Sequence, residues 1–144
     1  MRAMLTSDPP DTAAPLVLLA GALSDSAGAL LREAGYRVRS AASGAALLRM
    51  AGSAPVPGLI LLDETVGEQQ GLDLLRRLRD DAATQGLPIL FVSGSGDEEL
   101  ALALGASDCL GLPLRPLVLL ARVQAQLELH RLTALAAAPL GIAP

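Results

Sequence analysis

Residues 58–94 read GLILLDETVGEQQGLDLLRRLRDDAATQGLPILFVSG, and this stretch decides the fold. Its continuous apolar run over 59–62 ends at Asp63, a pattern typical of a strand that is covered on both faces. A polar loop then leads into a helical pattern over 71–81, and a second apolar run follows over 89–92. The stretch therefore predicts two buried parallel strands connected by a helix.

The same alternation continues on both sides of this stretch. Together the segments predict an α/β fold, a doubly wound five-stranded parallel sheet in the order 2-1-3-4-5 with helices on both faces. In the helix over 71–81 we expect three leucines to face inward and three arginines to face outward. The inward set is Leu72, Leu75 and Leu78, and the outward set is Arg76, Arg77 and Arg79. The remaining predicted strands are 16–20, 36–39 and 107–112, and the remaining predicted helices are 25–34, 43–51, 97–105 and 116–136.

Length and composition predict one domain with a real core. The chain has 144 residues, and 51% of them are apolar. We predict a flexible lead-in over 1–14, a domain over 15–130, and a helix extension with an irregular tail over 131–144.

Charge and cysteine content exclude several classes of function. The net charge is −4 and all 11 basic residues are arginine, so we expect no direct nucleic-acid partner and no lysine chemistry. The single Cys109 excludes an internal disulfide and fits a cytoplasmic protein. No apolar run is long enough to span a membrane. His130, the only histidine, is interpreted as a solvated helix residue.

Several motifs together resemble the receiver domain of response regulators in two-component signalling. The resemblance covers residues 15–130 and implies a flavodoxin-like receiver fold. It implies that Asp63 corresponds to the aspartate that accepts a phosphoryl group from a histidine kinase, and Ser93 to the hydroxyl residue that contacts that group. The motifs are the 58–94 segment, the turns Glu33-Ala34-Gly35-Tyr36 and Ala103-Leu104-Gly105-Ala106-Ser107-Asp108, and the closing LLARVQAQL.

Other positions depart from the receiver pattern. The acidic pair with which the family holds Mg²⁺ falls at Ala20 and Gly21, and its lysine falls at Leu112. Its switch aromatic corresponds to Cys109. Phosphoryl transfer depends on a metal and a fixed cation that neutralise the phosphoryl oxygens, so these losses act on one reaction. We expect no metal site, with Asp63 and Asp25 as weak candidate ligands.

Two further expectations concern the edges of this site. Because side chains alternate along a strand, we expect Glu64 to point away from the site of Asp63. The resemblance implies that a cis peptide can precede Pro113.

Three hypotheses for function stay open. The first is a phosphorylation-competent regulator that recruits Mg²⁺ through Asp63, Asp25 or Glu64. The second, which the departures favour, is a non-enzymatic receiver-like module without a cofactor, in which Asp63 is a retained carboxylate that accepts backbone N–H bonds. This module would act through contacts with a histidine kinase or an output module. The third is a small flavin or nucleotide binder, which the segment Gly21-Ala22-Leu23-Ser24 disfavours because it lacks a phosphate cradle.

The last predicted helix carries many leucines and extends past the receiver-like core. Exposed leucines of this kind indicate a contact with a partner chain or an output module. We predict a homodimer through this helix. The predicted interface residues are Leu110, Leu117, Leu120, Val123 and Leu127.

Overall fold

The computed structural model describes residues 14–137, so most of the predicted lead-in and the end of the tail lie outside the described part of the chain. Twelve elements follow one another there. They are β1 (Leu16–Ala20), α1 (Ser24–Glu33), β2 (Arg37–Ala41), α2 (Gly44–Ala51), β3 (Leu59–Asp63), β4 (Thr65–Val66), β5 (Gln69–Gln70), α3 (Gly71–Asp80), β6 (Ile89–Ser93), α4 (Glu98–Ala103), β7 (Asp108–Gly111) and α5 (Pro116–Ala137).

The main sheet has five strands in the order β2-β1-β3-β6-β7, and every pair in it is parallel. This arrangement confirms the predicted 2-1-3-4-5 order. Leu18 pairs with Ile60 and Leu61 pairs with Leu90, so the apolar runs lie side by side at the centre. Both faces of these strands are buried, which is why their sequences are apolar without alternation.

Helices cover the two faces of the sheet in two separate cores. On one face Leu31 of α1 and Val123 of α5 pack against Val17, Leu61 and other strand residues. On the other face α2, α3 and α4 pack against a set that includes Leu62 and Phe91. The fold is therefore a three-layer α/β sandwich whose strands all end at one edge.

The β3–α3 connection shows how the sequence fixes one end of the sheet. The predicted polar loop over 64–70 is instead a small antiparallel pair, β4 with β5, and Val66 within it is buried. Gly71 then begins α3 against the end of β3, where a Cβ would overlap the Asp63 carbonyl oxygen. Only glycine fits this close approach.

Two expectations for α3 are corrected by its packing. Leu74 is buried beside Leu75 and Leu78, whereas Leu72 is only half-buried. Arg79 is half-buried and does not extend freely into solvent. Its guanidinium donates to the carbonyl oxygens of Gly105 (2.7 Å), Gln85 (2.9 Å) and Leu87 (2.6 Å) and to Ser107 Oγ (3.3 Å). This arginine therefore connects α3 with the α3–β6 and α4–β7 connections.

The long α5 helix has a buried side and an exposed side. Leu119 and Val123 are fully buried, while Leu117, Leu132 and Leu135 are exposed. At 100° per residue these exposed leucines lie within about 60° of one another on the helix, roughly opposite the buried pair. None of the helices in residues 14–137 is both long enough and apolar enough to cross a membrane.

Candidate functional site

The carboxyl ends of β3 and β6 bring together the two polar residues that were singled out in the sequence. Asp63 pairs with Val92 across the sheet, and Ser93 follows at the end of the neighbouring strand. Asp63 is 7% exposed and Ser93 1% exposed, so both residues are buried at this edge of the sheet. This edge is where open parallel sheets place their ligand sites.

Asp63 is enclosed by backbone. Its Oδ1 accepts a hydrogen bond of 2.7 Å from the Glu64 N–H, as the hypothesis of a retained carboxylate expects. On the other side lies Gly21, which has a φ of +115°. A Cβ on Gly21 would overlap the Asp63 Cβ and lie 2.9 Å from the Thr65 carbonyl oxygen. The backbone at Gly21 therefore leaves no room for a side chain beside Asp63.

The positions that correspond to the family's acidic pair, Ala20 and Gly21, bring no carboxylate to this site. Ala20 is buried between β2 and β3, and Asp25 is an exposed residue in the first turn of α1. Among residues 14–137, no group of three or more histidine, cysteine, aspartate or glutamate side chains is placed to hold a metal ion.

Ser93 organises the loop that follows β6. Its Oγ accepts hydrogen bonds from the Ser95 N–H (3.2 Å) and from the Asp97 N–H (3.4 Å). A strand-end hydroxyl that stabilises a tight turn in this way is a common local motif. The hydroxyl proton of Ser93 is donated elsewhere, to Glu64 Oε1 at 2.9 Å.

Glu64 is the residue for which the sequence expectation was wrong. Strand alternation predicted that it would point away from the site, but its Oε1 accepts from Ser93 Oγ, from Ser95 Oγ (2.7 Å) and from the Gly94 N–H (3.2 Å). The strand ends at Asp63, so alternation no longer directs the next side chain. The hydrogen bonds from Ser95 and Ser93 lower the pKa of the Glu64 carboxyl, because they favour its charged form.

Leu112 and Cys109 stand at the positions that correspond to the family's lysine and switch aromatic. The Leu112 side chain is 47% exposed and lies over Gly94, where an added Cβ would be 3.1 Å from Leu112 Cδ1. The Leu112–Pro113 peptide is cis, as the resemblance implied. Cys109 is half-buried, and its Sγ lies 3.6 Å from the Glu98 carbonyl oxygen. Burial, followed by the charges of Asp108 and Glu98, raises the pKa of this thiol.

Two of the predicted interface residues need correction. Leu110 and Val123 are buried in the chain's own core, so they cannot contact a partner in this conformation. Leu120 and Leu127 are half-buried at the flank of α5, and Leu117 is 81% exposed. His130 is half-buried on the same helix. The leucine pattern surrounds α5 on several sides, so the sequence alone did not separate the core side from the exposed side.

Comparisons with known proteins all point to one family. Residues 22–124 match the response regulator receiver domain. The chain is 36% identical over 106 residues to the transcriptional regulatory protein GltR of Pseudomonas aeruginosa, covering 72% of this chain and 43% of that protein. It thus spans less than half the length of the curated relatives that it matches.

Solved structures agree with this match. A putative response regulator from Chloroflexus aurantiacus superposes with a TM-score of 0.74 at 30% identity, covering 80% of this chain and 98% of the other. The receiver domain of the sensor histidine kinase PA1611 from Pseudomonas aeruginosa, with a magnesium ion coordinated in its active site cleft, superposes with a TM-score of 0.72 at 26% identity. There the coverage is 81% and 99%. Receiver domains interact with histidine kinases and output domains and are generally non-enzymatic. The chain therefore belongs to the response regulator receiver domains of two-component signalling.

Proposed function

We propose that this receiver domain acts through protein contacts, with phosphorylation of Asp63 impaired or absent. The observation that carries the proposal is the close packing of Gly21 against Asp63. Any side chain at Gly21 would have to enter space that the Asp63 Cβ and the Thr65 carbonyl oxygen already fill. In this conformation the chain therefore has no room for a side chain at one of the two positions where the family pattern places a metal-binding acid.

The residues around Asp63 do not fit Mg²⁺. This ion needs a near-octahedral set of oxygen ligands and is usually held through one or two carboxylates. Ala20 has no side-chain oxygen, and Asp25 is exposed on α1. The carboxylate of Glu64 already accepts three hydrogen bonds through one of its oxygens. Glu64 is thus directed toward the β6–α4 connection, and within residues 14–137 no group of three or more potential metal-ligating side chains comes together.

A fixed cation is missing from the same place. Leu112 stands at the position of the family lysine, and its side chain lies over Gly94. Within the described residues, the arginines that form ion pairs do so with Asp108 and Glu128, not with Asp63. Removing one preorganised donor from a catalytic site lowers the rate by about 10²–10³-fold. Losing the metal ligands together with the cation therefore predicts phosphorylation far below a useful rate.

The alternative is a phosphorylation-competent, atypical regulator. It is favoured by one observation, that Asp63 and the hydroxyl of Ser93 still end adjacent strands, as the family reaction requires. It requires that Glu64 release the hydroxyl of Ser93, because that hydroxyl now donates to the Glu64 carboxylate.

Intact-mass measurement after incubation with acetyl phosphate and Mg²⁺ separates the two. A receiver domain that retains the acidic pair and the lysine serves as positive control, and Asp63→Asn serves as negative control. We expect the control receiver to gain the mass of one phosphoryl group and this chain to stay unmodified. A stoichiometric adduct that disappears in Asp63→Asn would overturn the proposal in favour of the alternative.

The partners in this proposal are a histidine kinase or an output module in the cytoplasm, and a second copy of the chain. Support for the second copy comes from the exposed leucines of α5, at positions 117, 129, 132 and 135. A soluble domain rarely leaves this much apolar surface uncovered along one helix. Because Leu110 and Val123 are buried, the proposed surface is the exposed side of α5 alone.

A further inference from the structure

Three donors from the β6–α4 connection converge on a single oxygen of Glu64. They are the hydroxyls of Ser93 (2.9 Å) and Ser95 (2.7 Å) and the N–H of Gly94 (3.2 Å). We call these three groups the oxyanion cradle. All three are donors in one short segment, so together they form a binding site for a negatively charged acceptor oxygen.

The cradle also determines the shape of the loop that contains it. Ser93 Oγ donates to Glu64 and accepts from the N–H groups of Ser95 and Asp97. Asp97 immediately precedes α4, so one hydroxyl connects the end of β3 with the start of that helix. Whatever acceptor holds the Ser93 hydroxyl therefore also holds the arrangement of residues 93–97.

A carboxylate oxygen and a phosphoryl oxygen make the same demand on such a site. Both are anionic acceptors for hydroxyl and N–H donors. The family resemblance assigns the hydroxyl at Ser93 to a phosphoryl group, but here Glu64 holds it. We propose that Glu64 is an intramolecular oxyanion ligand that keeps the cradle in its ligand-bound arrangement without phosphorylation. This inference rests on the proposed function. It adds to the impaired phosphorylation of Asp63 that residues 93–97 are held in one conformation by Glu64.

The charges around Glu64 are consistent with this role. Asp63 precedes it on β3 and Asp97 faces it from beyond the cradle, where Ser95 Oγ lies 3.3 Å from Asp97 Oδ2. Both neighbours are acidic, so the charge of Glu64 is stabilised by hydrogen-bond donors of the β6–α4 connection and not by a nearby cation. The pKa of the Glu64 carboxyl is nevertheless lowered, chiefly by Ser95 and then by Ser93. The hydrogen bonds thus outweigh the opposing effect of burial on this carboxyl.

Removal of the carboxylate should expose the cradle to an external anion. Glu64→Ala leaves the three donors without their acceptor, and a small carboxylate such as acetate supplies the same group in solution. Glu64→Gln keeps the size of the side chain but removes its charge, so it tests charge separately from shape. Glu68→Gln is the matched control, because Glu68 is an exposed acid on the same connection.

NMR of the backbone amides reports directly on the hydrogen bonds of the cradle. In the wild type we expect the Gly94 amide resonance to titrate with the Glu64 carboxyl, and in Glu64→Gln we expect this titration to be lost. In Glu64→Ala the resonances of residues 93–97 should shift, and added acetate should return them toward the wild-type positions. Glu68→Gln should leave them unchanged.

The inference fails if the Gly94 resonance of the wild type ignores the Glu64 titration, or if Glu64→Ala and Glu64→Gln leave residues 93–97 unchanged. It fails equally if acetate has no effect on Glu64→Ala. The acetyl phosphate experiment is a separate readout. An unmodified chain with an unresponsive Gly94 amide would reject the inference and keep the proposed function, whereas a phosphorylated wild type would reject the proposed function itself.

Discussion

Gly21 packs so closely on Asp63 that a single methyl group at Gly21 would overlap the Asp63 Cβ. Its φ of +115° is also unfavourable for a residue with a side chain. We therefore expect Gly21→Ala to lower the free energy of unfolding by at least about 2 kcal/mol, through backbone strain and overpacking. Urea denaturation followed by circular dichroism measures the change. Gly86→Ala is the control, because a Cβ there meets no atom within 4 Å and should have little effect.

Arg79 should matter for stability although it looks like a surface residue. Arg79→Ala removes the side-chain donor to three carbonyl oxygens and one of the two donors to the Ser107 hydroxyl, and each charge-assisted bond contributes about 1.5–3 kcal/mol. Since the guanidinium is half-buried, we expect a total loss of about 2–3 kcal/mol. Arg77→Ala, an exposed residue on the same helix, should change the free energy of unfolding by less than about 0.5 kcal/mol. Equal effects of the two substitutions in thermal unfolding would contradict this role.

The thiol of Cys109 should react slowly in the folded protein. Burial and the neighbouring charges of Asp108 and Glu98 raise its pKa, so less thiolate is present at neutral pH. We expect alkylation by iodoacetamide to be slower in buffer than in urea, with the rate followed by intact mass. Cys109 is the only cysteine, so the modified site is unambiguous. A folded protein that reacts as fast as the unfolded one would show that the thiolate is accessible.

The exposed side of α5 should determine the oligomeric state. We expect the wild type to dimerise and Leu117→Gln to shift it toward the monomer, because Leu117 is the most exposed leucine of the helix. Sedimentation velocity over a range of concentrations measures this shift. Ala45→Gln alters an exposed residue of α2, on the opposite layer, and should leave the dimer intact. A wild-type protein that stays monomeric at high micromolar concentration would contradict the predicted dimer.

Glu64 should make stability depend on acid pH. Its pKa is lowered from 4.5 on folding, so its contribution to stability is fully present above the unfolded value. That contribution is lost as the pH falls through the folded value. We therefore expect Glu64→Gln to be less stable than the wild type at pH 7, and the difference to vanish in strong acid. A difference that stays constant over this whole pH range would show that the charge of Glu64 is not involved.

The fold was predictable because its determinants are local. The apolar runs that became β1, β3 and β6 have the length and composition of buried strands, and their alternation with helices leaves few topologies. Ser43 illustrates the same point on a smaller scale. It was expected at the start of a helix, and its side chain accepts from the Ala46 N–H at 3.1 Å.

The errors arose where contacts join distant segments. Arg79 lies on the polar side of α3 by periodicity, but Gly105 leaves room for its side chain to cross the domain. Glu64 was placed by strand alternation, yet its position is decided by donors 29 to 31 residues further along the chain. The β4–β5 pair has only two residues in each strand, too few for a period to be visible.

The contact between Glu64 and the oxyanion cradle has a consequence for timing. A phosphoryl group on aspartate is added and later hydrolysed, so the phosphorylated state of an ordinary receiver lasts only a limited time after a stimulus. The Glu64 carboxylate belongs to the polypeptide, so it is not removed by hydrolysis as a phosphoryl group is. In a receiver held by such a contact, information can enter only through the number of copies in the cell and through competition for its partners. Regulation would then pass from a kinase and a phosphatase to synthesis and degradation.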